Sequence, residues 1–248
     1  MSLFTKVFGL RQRVATASSI AVVTLAAMTS LAAAQDAGPY AKLYGGLQSI
    51  EGMSFADPAT ADLDLDGGSG LALGGALGYG FGNGFRTALD VSYGEADLDG
   101  TFQENVQVFV PCGEVSGSPC LNGTVDADYS SLSGFAMAYY DFATGSALTP
   151  YIGVGVGLMD ANLEATTLGT LNVGTTSEFE LVDGSDTEFG TRVAAGFAYD
   201  AGAFDLTADY SWTRSGRLDL AGQGAYTTFN FDKRVNAHTF TVGTRLKF

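Results

Sequence analysis

The stretch His238-Thr239-Phe240-Thr241-Val242-Gly243-Thr244-Arg245-Leu246-Lys247-Phe248 decides how the chain is read. Successive side chains of a strand point to opposite faces. Phe240, Val242, Thr244, Leu246 and Phe248 therefore share one face, and Thr241, Gly243, Arg245 and Lys247 share the other. The apolar face carries no charge, and both cations fall on its opposite. Seven earlier runs alternate in the same way and are separated by Gly/Asn/Asp/Ser-rich connections. The eight runs cover about 39–49, 69–80, 85–95, 128–142, 149–159, 188–200, 203–214 and 237–248.

Working back from the last run, each yields a charge-free set. Examples are Leu71, Leu73, Leu77 and Tyr79 in the second and Ile152, Val154, Val156 and Leu158 in the fifth. In the fourth the set is read as Ser131, Ser133, Phe135, Met137 and Tyr139. The central strand charges occupy the opposite faces: Lys42, Arg86, Asp90, Arg192, Asp205, Asp209, Arg245 and Lys247, among Gly, Ala, Ser and Thr.

A soluble barrel would also segregate its faces, with the polar one outward. A soluble coat is rich in Lys and Glu, however, whereas this charge-bearing face is small and sparsely charged. Small residues with a few opposed charges fit the crowded interior of an eight-stranded membrane barrel. The aromatics agree. Tyr79, Phe85, Tyr199, Phe204 and Phe248 lie beside short connections, and Tyr93, Phe189, Trp212 and Phe240 beside long ones. Two aromatic belts around an aliphatic band are what two membrane interfaces select.

The expected fold is therefore all-β, an antiparallel transmembrane β-barrel of eight strands, with ten as the alternative. Long loops are expected at 50–68, 96–127, 160–187 and 215–236 on the outer side, with both termini periplasmic. Strand-like runs at Thr101–Val110 and Ser177–Val182 allow strands to continue beyond the membrane.

The N-terminus carries Lys6, Arg11 and Arg13, no acid before Asp36, an apolar small-residue segment, and Ala32-Ala33-Ala34 at its end. Residues 1–34 thus read as a cleaved signal peptide, and 35–248 as the barrel. Nine basic residues against 27 acidic remain after removal of those three cations, a net charge of −18. This balance argues against nucleic acid or anionic lipid as a partner. No later window is long and apolar enough for a membrane helix.

Ending in Phe248, the final strand resembles the terminal strand by which bacterial outer-membrane barrels are recognised by their assembly machinery. Ala138-Tyr139-Tyr140-Asp141-Phe142, with Thr149-Pro150-Tyr151-Ile152-Gly153-Val154-Gly155-Val156-Gly157, is similar to the fourth and fifth strands of OmpA/OmpX/Opa-like barrels and related surface antigens. That resemblance implies the bacterial outer membrane as location, with its lipid and lipopolysaccharide as surroundings. The family holds structural proteins, adhesins, narrow channels and a few enzymes, so it fixes location better than activity.

The candidate chemistry is sparse, and no cofactor is expected. Asp62-Leu63-Asp64-Leu65-Asp66-Gly67 opens like a calcium loop, but the twelfth position, which needs a bidentate Glu, is Leu73. Period-two acids entering a strand account for it. His238 is the single histidine, and the place two residues on, where a lipid-hydrolysing barrel would carry Ser, holds Phe240. Cys112 and Cys120 suit a local disulfide rather than a metal site, which needs further Cys or His ligands. The first three long connections contain acids but no Lys or Arg, and are read as solvated, with diffuse divalent-cation bridging to lipopolysaccharide as the sharper alternative. The expectation is a non-enzymatic barrel that displays its loops for structure or adhesion; the alternative is a narrow passive channel. Opposed charges at Lys42, Arg86, Asp90, Arg192, Asp205, Asp209 and Arg245 should plug the lumen.

Overall fold

A computed structural model describes residues 37–57, 61–105, 120–171, 176–223 and 228–248. The signal peptide expected over 1–34 and Cys112 lie outside them. Cys120 opens a strand, but its side chain is not described, so the expected disulfide also lies outside. The strands are β1 Ala37–Ile50, β2 Met53–Asp57, β3 Ala61–Leu65, β4 Gly68–Phe81, β5 Phe85–Asn105, β6 Cys120–Asp141, β7 Leu148–Leu171, β8 Thr176–Asp200, β9 Asp205–Ser215, β10 Leu218–Gln223, β11 Thr228–Lys233 and β12 Asn236–Lys247.

Eight of them close a ring. Each of β1, β4, β5, β6, β7, β8, β9 and β12 pairs antiparallel with the next, and β12 returns to β1 with Lys42 opposite Arg245. A closed ring pairs every backbone group and leaves no edge for lipid to desolvate. Short turns join the strands at one end. In Phe81–Phe85, Gly82 and Gly84 take φ of +74° and +86°, the left-handed conformation that a tight reversal requires, and Asn83 Oδ1 accepts from the Phe85 amide at 3.1 Å.

The outward face of the ring is apolar. Leu43 is 72% exposed, Leu89 69%, Phe189 74% and Val242 69%; on a soluble protein such a girdle would demand a partner. On β8 the band runs from Phe189 to Tyr199, eleven residues, which is what a tilted strand needs to cross hydrocarbon.

The expected ten-stranded alternative is not adopted. Within the expected loops 96–127 and 160–187, the described residues 96–105, 120–127, 160–171 and 176–187 lie in strands that run on past the band, β5–β6 with 21 and 22 residues and β7–β8 with 24 and 25. The hairpins β2–β3 and β10–β11 occupy the other two expected loops; β3 pairs with β5, and Gly222 of β10 pairs with Val182 of β8. The reason is an exchange of polarity along each strand. On β7, exposed Ile152, Val154, Val156 and Leu158 give way to exposed Asp160 and Glu164, while the inward set changes from Tyr151 and three glycines to buried Met159, Ala161, Leu163 and Ala165. On β7 the alternation is unbroken through Thr167 while the hydrophobic residues change parity; the facing β8 takes up one register shift, with Leu181 and Val182 both buried. Beyond the band the barrel is built like a soluble protein, around a core that includes Ile50, Leu65, Leu98, Phe102, Leu121, Val125, Leu163, Leu181 and Val235.

One strand reverses the sequence reading outright. In β6 the set Ser131, Ser133, Phe135, Met137 and Tyr139 faces the lumen, and Leu132, Ala136 and Tyr140 face outward. Few charges mark either face of this run, so the larger residues suggested the wrong side. The lumen has room for them because the inward residues opposite are Gly153, Gly155 and Gly157 of β7. A Cβ on Gly153 would meet the Tyr139 ring. The same exchange of ring for glycine pairs Tyr44 with Gly74, Tyr40 with Gly78 and Tyr151 with Gly196. Glycine on one strand makes the groove in which the tyrosine of its neighbour lies.

Candidate functional site: the charged lumen

Strand pairing dictates which inward charges meet. Arg245 lies opposite both Lys42 of β1 and Asp205 of β9. Repulsion on one side and attraction on the other turn Arg245 toward β9, where its Nη2 is 2.6 Å and its Nε 2.8 Å from Asp205 Oδ2. Lys247 Nζ approaches the second oxygen of Asp205 at 3.0 Å. Lys42 reaches past Arg245 to Asp209 Oδ2 at 2.6 Å, and the Tyr151 hydroxyl donates to the other Asp209 oxygen.

A second set spans the lumen. Arg192 Nη1 on β8 is 2.7 Å from Asp90 Oδ1 on β5, while its Nη2 donates to Ser92 and its Nε to Thr213, both at 3.0 Å. The Tyr44 hydroxyl completes Asp90 at 2.8 Å. Arg86 donates from Nε to Asp141 at 2.8 Å and from Nη1 to the Tyr40 hydroxyl at 3.1 Å. Its guanidinium lies over the rings of Tyr139 and Tyr151 at 4.2 and 4.6 Å, and that of Arg192 over Phe135 at 4.1 Å. Four cations (Lys42, Arg86, Arg192, Arg245) thus face four carboxylates (Asp90, Asp141, Asp205, Asp209), with Lys247 a half-exposed fifth cation at the rim. Such pairing is the condition under which charge persists away from water.

All seven lumen charges expected from sequence meet here, and sequence reasoning missed Asp141 and the four tyrosines. Asp141 shares the parity of Phe135 and Tyr139, so correcting the face of β6 also finds this acid. The tyrosines give no such signal except their register opposite glycine.

A polar cavity of ≈ 50 Å³ is lined by Lys42, Asp90, Arg192 and Asp209 and, on its distal side, by Gln48, Ser131 and other hydroxyl-bearing residues. The Gln48 amide nitrogen is buried without a protein partner. Met159 and Ala237 line the cavity too and belong to the distal apolar core. From the turn end outward, the lumen therefore holds ion pairs, then a small cavity shared by ion pairs and hydroxyls, then hydrocarbon.

The remaining candidates lie elsewhere. Asp62 and Asp64 are exposed on β3 while Leu63 and Leu65 are buried, a strand alternation rather than a ligand loop. His238 is at the distal rim of the band, with Nε2 2.9 Å from Glu51 Oε1 and Nδ1 2.7 Å from the Tyr210 hydroxyl. Both ring nitrogens are engaged, with no serine at either. Phe248 lies half-exposed beside β1, its amide donating to Pro39 O at 3.0 Å.

A family model described as outer membrane protein beta-barrel domain matches residues 18–248. A relative named outer membrane protein, from Gluconacetobacter diazotrophicus, is 27% identical over 233 residues; the match covers 85% of this chain and 57% of the relative. Among solved structures, Neisserial surface protein A is similar with a TM-score of 0.48 and 21% identity, covering 87% of this chain and all of that one. OprG of Pseudomonas aeruginosa is similar with a TM-score of 0.48 and 15% identity, covering 86% and 98%.

Proposed function

Given that the chain belongs to the outer-membrane protein β-barrel domain family, we propose that it is a non-enzymatic, ion-tight barrel whose outer end presents a rigid acidic surface for structure or adhesion. The observation that supports this reading is the filling of the lumen: paired charges at and below the small cavity, and an apolar core beyond it. An ion entering from the turn end meets fixed, mutually neutralised charges. One that passed them would meet hydrocarbon. A narrow passive channel would need both closures removed.

On this reading the distal end faces the exterior, and the turn end with both termini faces the periplasm. Outer-membrane lipid and lipopolysaccharide surround the band, and the Phe248 strand is the one that the assembly machinery receives. The extension suits display because it is a continuation of the wall: a partner would meet a preordered surface and lose little conformational freedom on binding.

The test is planar-bilayer recording on refolded protein. The wild type should be silent, whereas removing Arg192 or Asp90 should at most add unsteady leak, since the distal core still blocks the path. A steady open conductance in wild type would replace this reading with the channel.

A further inference from the structure

The extension beyond the band carries its charge unevenly. Of the nine cations in 35–248, Lys42, Arg86, Arg192, Arg245 and Lys247 belong to the lumen and its rim. The other four, Arg214, Arg217, Lys233 and Arg234, all fall where β9 passes into β10 and β11 into β12, with Asp219 and Asp232 as the acids of that hairpin. No Lys or Arg occurs between Arg86 and Arg192. The outer walls of β5 and β6 therefore expose Glu95, Asp97, Asp99, Asp126 and Asp128 with no cation among them. Asp97 stands directly opposite Asp128, and Asp99 opposite Asp126. Like charges so paired destabilise a sheet, and a cationic surface laid against them relieves the cost.

The acidic and basic faces are diametric. Round the ring, β7 and β8 separate the β5–β6 pair from the β9–β12 pair on one side, and β4 and β1 separate them on the other. Within the band beneath, the same two faces differ in relief. On β6 the outward residues below Leu132 are Gly134, Ala136 and Ala138, a furrow with Val91 of β5 and Leu158 of β7 directly flanking Gly134. A Cβ at Gly134 would meet nothing within 4 Å, and its φ is not left-handed, so a single barrel gives no reason for glycine there. On β9 and β12, Tyr210 and Phe240 lie directly opposite one another with ring centroids 4.9 Å apart and form an exposed ridge. The depths match. Tyr210 is four residues below Arg214, and Gly134 four residues below Ser130, each counted from the first polar outward residue above the band.

We propose that the extension's partner is a second copy of this chain: the basic β9–β12 side of one barrel docks on the acidic β5–β6 side of the next, with the Tyr210–Phe240 ridge in the Gly134 furrow beneath. Copies in one membrane share orientation and height, so the two faces of neighbouring barrels meet level. Lipid offers no hydrophobic drive between apolar surfaces, and close approach at small residues supplies the packing instead. The ion pairs above are worth little singly, but they fix which face meets which. Because the two faces differ and are diametric, the contact is heterologous and does not close on itself. It propagates as an open row of barrels. The inference rests on the display reading above and names what the displayed surface meets.

The test uses residues 35–248 in a Cys-free background, labelled through Ser146→Cys in the exposed turn between β6 and β7 with donor or acceptor dye. The protein is refolded at low density into phosphatidylcholine liposomes. Energy transfer should exceed that of random mixing in the membrane plane and fall to it at about 0.5 M salt, where exposed charges are screened. The pairs Asp97→Lys with Asp128→Lys, and Arg214→Glu with Arg234→Glu, should each weaken association about tenfold, as loss of a few exposed ion pairs does. An equimolar mixture of these two proteins should recover it, because each then meets a complementary face. Gly134→Leu, which fills the furrow and leaves every charge in place, should also weaken it. Folding of each variant is checked by its gel shift on boiling. Random-level transfer in wild type, charge variants that associate like wild type, or no recovery in the mixture overturns the proposal. Loss in the arginine variant alone overturns a second copy as the partner, since the acidic side is then not engaged. Conductance is recorded separately: a conducting wild type would sink the functional reading whether or not rows form.

Discussion

Asp209 illustrates how a single lumen residue is constrained. One oxygen faces Lys42 Nζ and the other the Tyr151 hydroxyl, and its side chain is 10% exposed. Truncating it leaves a buried ammonium without a counter-charge, a loss of about 3–5 kcal/mol when one partner of a buried pair is removed. Arg245→Ala strands Asp205 in the same way, although Lys247 at 3.0 Å offsets part of the cost. Asp62→Ala, on an exposed position of β3, should change stability by less than about 0.5 kcal/mol. Urea unfolding of the three variants in lipid checks the order: Asp209→Ala lowest, Arg245→Ala next, Asp62→Ala near wild type. Three equal midpoints would mean a hydrated lumen. At this scale the sequence was legible where a charge marked a face: Lys42, Arg86, Asp90, Arg192, Asp205, Asp209 and Arg245 all follow from parity. It was not legible where size alone had to decide, as for Phe135 and Met137. Their inward placement depends on glycines of another strand, and that pairing is not local information.

Among the elements, β1 and β12 show how the distal rim is fastened. The Glu51 amide donates to Asn236 O at 3.0 Å, and the Glu51 side chain accepts from His238 and Asn236 in return. The His238 hydrogen bond, followed by that from Asn236, holds the Glu51 carboxyl below its ordinary value of 4.5. A depressed folded value means that the contribution is complete above the unfolded value and disappears as pH falls through the folded one. Hydrogen-exchange protection at the distal ends of β1 and β12 should therefore drop on acidification below about 4.5 in wild type. In Glu51→Gln protection should be low throughout and nearly independent of pH. Identical profiles for the two proteins would show that the carboxylate does not fasten the rim. The length of β5 to β8 was only partly legible, because a rule that follows a charge-free face ends each strand where the acids cross to that face. The acids mark the change of solvent from lipid to water, and the strands continue through it.

For the whole molecule, one closed sheet serves two solvents. Within the band, hydrocarbon lies outside and ion pairs within; beyond it, carboxylates lie outside and leucine, valine and phenylalanine within. The most direct measurement is nitroxide scanning of β7, one label at a time from Ile152 to Thr167 in a Cys-free background, with accessibility to oxygen and to a water-soluble nickel chelate read in bilayers. The account predicts that 152, 154, 156 and 158 are accessible to oxygen alone, that 160, 162, 164 and 166 are accessible to the chelate, and that odd positions from 159 to 167 are shielded from both. Even positions that stay in lipid to 166, or odd positions beyond 159 open to the chelate, would contradict it.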